Sequence, residues 1–338
     1  MSDNYRNSHN AFRKMGIVTI VAVYLLILVG GIVRSTGAGM GCPDWPQCFG
    51  TWVPPTDVTQ LPDNYQEIYK DRGYADVEFN VYKTWIEYIN RLVGVLIGIF
   101  IFVTLVLSVP FLKSDKTIFF LSLFSFILVG FQGWLGSVVV ATNLAPWMIT
   151  LHMLVAIILV FLLIYTVARS FTGTLNMANI EGKTRINQLL LLLLSTSIVQ
   201  IVLGTQVREA IDEIAASMQG NNRNTWIEQL GASFYIHRSL SSIILIAHIY
   251  LVYLLQKHAK HKAIIYTYTI ALVGVVVMEI LAGIGMAYLA IPAFLQPIHL
   301  LLAIVAIGIQ FILLLFINYK VVFVRSASST FNQAYSYK

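Results

Sequence analysis

The chain has 338 residues, of which 57% are hydrophobic and only 11% charged. A soluble domain carries about 25% charged residues, so there is too little polar side chain here to coat a water-facing surface, which excludes a soluble enzyme, a nucleic-acid binder and a disordered chain. Two cysteines are too few for a disulfide scaffold or a thiolate metal cluster, and the net charge of +6 is better explained by membrane topology than by a nucleic-acid partner.

A membrane-crossing helix needs about 20 apolar residues. Eight stretches qualify, at 15–33, 86–109, 118–141, 147–168, 188–207, 234–255, 263–287 and 294–317. The first follows a basic tail (Arg6, Arg13, Lys14) but is longer than a secretory signal and precedes no clear cleavage site, so it reads as a span. That short tail is also a poor mitochondrial transit peptide, which points to a bacterial plasma membrane. With both termini inside, the inner segments hold 14 of the 22 basic residues, and 12 of the 16 acids fall outside or at the outer edge. The expectation is an all-α integral membrane protein of eight helices, N-in and C-in.

The chain repeats itself. Tyr88-Ile89-Asn90-Arg91 returns as Tyr235-Ile236-His237-Arg238, an offset of 147. Pro146 and His152 return as Pro292 and His299, at offsets of 146 and 147. Gly30-Gly31-Ile32-Val33-Arg34 returns as Gly204-Thr205-Gln206-Val207-Arg208, at an offset of 174, the additional 27 residues being extra loop after the first span. Fixed-period similarity of this kind marks a duplicated unit. It predicts two pseudo-symmetric four-helix bundles, an N-terminal half over 1–170 with a long outer loop at 35–84, a C-terminal half over 186–318, and an inner tail at 319–338.

The repeat also places the chemistry. Asn90, His152, His237 and His299 fall within the first two turns of the even-numbered spans, all entering from the outer side and so at matched depth. A haem held between two helices needs one imidazole from each at matched height. The plain alternative for any one of these residues is a helix-end polar group satisfied by water or backbone. Three histidines and an asparagine at equivalent positions favour the haem, since intramembrane ionisable groups are costly and usually functional. His9, His258 and His261 lie in basic inner segments and read as solvated. His248, about three turns below His237, reads as a hydrogen-bonded interior histidine, with a second cofactor or a proton path as the alternative.

The halves differ. Glu87 lies three residues before Asn90, on the same helix face, and its counterpart is Phe234. A carboxylate beside a cofactor at the membrane edge is a candidate base; an (i, i+4) pair with Arg91 is the compatible structural role. Arg34 and Arg208, joined by Arg238, suit haem propionates, or else snorkel to the interface. The first loop carries Cys42-Pro43-Asp44-Trp45-Pro46-Gln47-Cys48. Outside a plasma membrane such a pair can form a disulfide, and no histidine or third cysteine lies near enough to favour a metal. One half looks built for reaction, the other for holding a cofactor permanently.

These residues resemble the haem A synthase family, and the likeness covers nearly the whole chain. It is carried by Gly30-Gly31 through Arg34-Ser35-Thr36-Gly37, the Cys42–Cys48 segment, Glu87 with Arg91, Gln132 through Leu135-Gly136, Leu144-Ala145-Pro146 with His152, and Gln296-Pro297-Ile298-His299. The resemblance implies oxidation of the C8 methyl of haem O to a formyl group, giving haem A for terminal oxidases. It implies haem b on His237 and His299, a substrate haem pocket in the first half with His152, Asn90 and Arg91, Glu87 as the essential acid and Cys42/Cys48 as the loop pair. It also implies haem O synthase (a farnesyltransferase) and cytochrome oxidase assembly as partners in the lipid membrane, and a homo-oligomer is a further expectation. Asn90 departs from the family pattern, which has histidine there, so the substrate iron is expected to have His152 as its one strong protein ligand. The competing class is a dihaem b-type, quinone-linked electron-transfer protein without haem conversion. A transporter fits less well, because the polar residues gather near one face rather than at the midplane.

Overall fold

The computed structural model describes residues 3–172, 180, 182–260, 262–319 and 322–323; His261 and nearly all of the expected inner tail lie outside them. The long helices are α1 (Asp3–Ser35), α3 (Val81–Ser108), α4 (Lys116–Ala141), α5 (Pro146–Ser170), α6 (Lys183–Ser217), α7 (Ala232–Ala259), α8 (Ala263–Tyr288) and α9 (Leu295–Ile317), with a short loop helix α2 (Tyr65–Ile68). Eight helices among the described residues are long and apolar enough to cross a membrane, matching the eight spans read from the sequence.

Several helices outrun their apolar stretches. α6 continues ten residues past position 207, because Val207, Ala210, Ile211 and Ile214 form an apolar stripe that packs under Trp226, Leu230 and Ile291. α1 starts twelve residues early and brings the buried Phe12 against Phe111 and Ile118. Capping fixes other ends. Asn80 accepts the Lys83 amide at 3.1 Å and opens α3, and Asp115 accepts the Thr117 amide at 3.2 Å and opens α4. Asp115 also pairs with the buried Arg169 at 2.7 Å, tying the start of α4 to the end of α5.

Helices pack largely in sequence, α1 on α3, α3 on α4, α4 on α5, then α6 on α7, α7 on α8 and α8 on α9. The first four and last four spans meet through α1, α5, α6 and α9. The turn before α5 puts Asn143 and Leu144 at φ 50° and 62°, and the turn before α9 puts Ala290 and Ile291 at φ 54° and 53°. Leu144 N–H donates to the Val139 carbonyl at 2.9 Å and Ile291 N–H to that of Met286 at 3.1 Å, the six-to-one bond that closes a helix C-terminus. Both bonds and both left-handed pairs recur at the 147-residue offset. They aim α5 and α9, each bearing a candidate ligand, back into the bundle.

The long first loop is folded onto one end of the bundle, here termed the loop end. Cys42 and Cys48 are disulfide-bonded and share a small core with Phe49, Leu61 and Tyr74. Tyr65, Tyr69, Tyr74 and Phe79 meet the Phe49 ring edge-on, with centroids 5.4 to 6.3 Å apart. Gly41 permits the docking, since a Cβ there would lie 2.3 Å from the Lys83 carbonyl oxygen.

Candidate functional site

Each of the four candidate ligand positions faces a glycine on a neighbouring helix. A Cβ on Gly30 would lie 4.0 Å from Asn90 Oδ1, and one on Gly136 3.6 Å from His152 Cε1. In the last four spans a Cβ on Gly204 would lie 3.3 Å from His237 Cε1, and one on Gly283 3.4 Å from His299 Cε1. So α1, α4, α6 and α8 each present a gap to the polar residue of α3, α5, α7 or α9. Asn90 is ten residues into α3 rather than within two turns of its start, because α3 begins five residues before the apolar span. Two backbone anchors support the cradles. Gln132 Nε2 donates to the His152 carbonyl at 2.9 Å, and Gln200 Nε2 to the His237 carbonyl at 2.8 Å.

His237 and His299 come together, their ring centroids 6.4 Å apart and their planes at 70°. His237 Nδ1 is buried without a hydrogen-bond partner, whereas His299 Nδ1 meets the Glu279 carboxylate at 3.1 Å. Two imidazoles at this separation, set against glycine gaps, fit an iron porphyrin between them, with metal–nitrogen bonds of about 2 Å as for other imidazole-bound metals. At the other site Asn90 Oδ1 and His152 Nδ1 are both buried and unpartnered. No group of three or more His, Cys, Asp or Glu among the described residues is arranged to hold a bare metal ion.

Glu87 is buried, and both its carboxylate oxygens are engaged. Oε2 accepts the Cys42 amide at 2.8 Å and Oε1 accepts Arg91 Nη2 at 2.5 Å. Arg91 does more than pair with Glu87: it donates to the carbonyls of Asp44 at 2.8 Å, Gln47 at 2.9 Å and Cys42 at 3.3 Å. Its guanidinium therefore clamps the disulfide loop onto α3. Asp44 closes the loop from within, accepting the amides of Phe49 and Gly50 at 2.6 and 2.7 Å. Tyr74 donates its hydroxyl to the Met40 carbonyl, and burial, followed by the negative field of Glu87, pushes its phenol well above its ordinary value.

The arginines read as propionate contacts fall into two groups. Arg34 and Arg208 converge on Asp212, at 3.1 and 2.7 Å, and Arg208 also donates to Gln296 Oε1 at 2.7 Å. The Nε atoms of both are buried and unpartnered. Arg238 is exposed. Sequence reasoning overlooked Asp212, which the overrunning end of α6 carries to the site, and gave Glu279 no role although Gln132 precedes it by 147. His248 is the hydrogen-bonded interior histidine expected: Nδ1–H donates to the Ile244 carbonyl at 2.9 Å and Nε2 accepts from Gln310 at 2.8 Å. His9, expected to be solvated, instead stacks on Phe111 with centroids 4.0 Å apart.

Against this geometry, the model of the cytochrome oxidase assembly protein family COX15-CtaA matches residues 13–311. The chain belongs to that family. The match takes in all four ligand positions, the disulfide loop and Glu279. Among curated relatives, a protein named haem A synthase from Shewanella oneidensis is 31% identical over 63% of this chain and 62% of its own length. One of the same name from Nitrosomonas eutropha is 28% identical over 52% of each chain. A third, from Halalkalibacterium halodurans, is 21% identical over 87% of this chain and 93% of its own. The alignment thus spans less than two thirds of the first two relatives. Family membership and eight apolar helices make this a multi-pass membrane protein.

Proposed function

We propose that the chain is a haem A synthase, an oxidoreductase that converts the C8 methyl of haem O into the formyl of haem A. The single observation that carries this reading is Glu87: a buried carboxylate one helical turn, about 4.5 Å of rise, from the incomplete ligand pair Asn90/His152, and bonded to the disulfide loop. The alternative, a dihaem electron-transfer protein, gives Glu87 a structural task in anchoring the loop but no chemical one. Two pseudo-symmetric halves divide the work in this reading, with N-in, C-in topology and both sites near the outer face.

In the second half His237 and His299 hold haem b, which supplies one-electron transfer when bound. In the first half His152 positions the substrate iron, while Asn90 leaves the opposite side without a strong protein ligand. Taking the methyl to the formyl level with water as the oxygen source removes four electrons and releases four protons beside the reacting carbon (R–CH3 + H2O → R–CHO + 4 H+ + 4 e−). The electrons go one at a time to an external one-electron oxidant, and Glu87 takes up the protons in turn and passes them on, with the Cys42 amide and Arg91 fixing the direction of its oxygens. The docked loop covers Glu87. Arg34 and Arg208 meet the propionates, in competition with Asp212. Haem O synthase as donor and the oxidase assembly machinery as acceptor follow from the same reading.

The test is pigment extraction from a bacterial host that makes haem O, with the chain present or absent. Formyl-bearing haem appearing only with the chain supports the synthase. Bound haem with no formyl product supports the electron-transfer protein.

A further inference from the structure

Three of the four ligand positions, Asn90, His152 and His237, have a buried side-chain atom without a hydrogen-bond partner; at His299 the Nδ1 atom is engaged. Its Nδ1 lies 3.1 Å from Glu279 Oε1 and 3.2 Å from the Glu279 carbonyl oxygen. Both of those atoms face it as acceptors, so Nδ1 carries the proton and Nε2 keeps its lone pair. Gly283, one turn further along α8, leaves the gap beside the same ring: its absent Cβ would sit 3.4 Å from Cε1 and 3.9 Å from Nδ1. One turn of α8 therefore supplies both the hydrogen-bond partner and the space. The other Glu279 oxygen, Oε2, is buried with no hydrogen-bond partner, so the carboxylate is directed chiefly at this histidine.

The equivalent residue in the first four spans makes the contrast sharp. Gln132 occupies the position 147 residues earlier, with Gly136 one turn on as Gly283 follows Glu279. Its amide bonds the His152 backbone carbonyl instead of the ring, and His152 Nδ1 stays unpartnered. His299 Nδ1 is thus held by both the main-chain carbonyl and the side chain of Glu279, whereas His152 Nδ1 is held by neither atom of Gln132.

We propose that Glu279 is a positioning residue for the cofactor of the second half: it fixes the tautomer and rotation of His299 and sets the redox potential of the haem held there. The proposal rests on the assignment of haem b to His237 and His299 above. A carboxyl oxygen accepting the far N–H of a metal-bound imidazole makes that imidazole a stronger donor. A stronger donor favours the oxidised iron and lowers the potential.

The experiment is redox titration and low-temperature electron paramagnetic resonance on purified full-length protein with its haem. The variants are His237→Ala, Glu279→Gln and Glu279→Leu. His237→Ala is expected to lose the low-spin signal. Glu279→Leu is expected to keep the haem but raise its potential enough for about tenfold more reduced haem at a fixed ambient potential, or ~59 mV for a one-electron couple. Its resonance should also broaden as the ring loses its fixed rotation. Glu279→Gln, which keeps an acceptor oxygen, is expected to fall between, and it decides the matter if the leucine variant does not fold. Haem-loaded Glu279 variants with unaltered potential and resonance, in a protein where His237→Ala loses the low-spin signal, overturn the role of Glu279 alone. A His237→Ala protein that keeps its low-spin signal overturns the haem assignment and this proposal with it.

Discussion

The two candidate sites use the same parts to opposite ends. In the second, two imidazoles face each other and one is held by a carboxylate on the adjoining helix. In the first, an asparagine stands in place of one imidazole, Asn90 Oδ1 and His152 Nδ1 lack partners, and Glu87 is turned towards a disulfide loop. The second site reads as a place of residence, because His299 Nδ1 is held by Glu279. The first reads as a place of exchange, because Asn90 Oδ1 and His152 Nδ1 are unengaged and the folded loop is bonded to Glu87 beside them. Two amide-for-ionisable exchanges, at Asn90 and Gln132, carry most of that difference. Under the proposed function, a scaffold changes from retaining a cofactor to processing one without rearranging a helix.

The comparison can be broken most forcefully at Glu87. Glu87→Gln keeps the size and removes the base, so haem A formation should fall roughly a hundred- to ten-thousand-fold while low-spin haem b stays bound, as read from pigment extracts and absorption spectra. Ordinary haem A yield in this variant would leave the first site without a chemical role. Next in size, His299→Ala should abolish the low-spin haem b signal in protein that still inserts into membranes; an unaltered signal would erase the distinction between the sites.

Asn90→His tests the same distinction from the other direction. It should turn a partly high-spin substrate haem into a six-coordinate, low-spin one and make the first site resemble the second. A spectrum indifferent to the change would mean that Asn90 does not face the iron. The smallest effect belongs to Asp212→Asn, which loosens the contact between Arg34 and Arg208. These side chains are partly exposed, so the loss should be at most about 1 kcal/mol. Thermal unfolding in detergent should show a slight fall in Tm, and haem occupancy should rise or hold where Asp212 competes with propionates.

Much of this was legible beforehand because membrane spans and a tandem repeat are strong one-dimensional signals. Apolar length gave the eight helices, and the offset of 147 matched His237 with Asn90 and His299 with His152. The disulfide was legible from Cys42 and Cys48 in an outer loop. What escaped depends on the third dimension. Nothing in the local pattern said that Arg91 would reach three loop carbonyls, since its spacing from Glu87 already explained it as an ion pair. The stripe from Val207 to Ile214 is weakly apolar, and only packing under Trp226 reveals why α6 runs on and delivers Asp212. Glu279 looked like a lone acid in a hydrophobic span because its partner is 20 residues away on the next helix.

The paired turns before α5 and α9 have a bearing on ancestry and on engineering alike. Their residues have nothing in common, Asn143-Leu144 against Ala290-Ile291, yet all four hold positive φ. Such conformations cost non-glycine residues about 1–3 kcal/mol each when strained, and asparagine tolerates them better than alanine or isoleucine. Under the duplication proposed above, what the two copies share is a bend in the main chain rather than the side chains that occupy it. The turn before α9 is then the natural place to add stability: an asparagine or glycine at position 290 would give the C-terminal half the tolerance that Asn143 gives the N-terminal half.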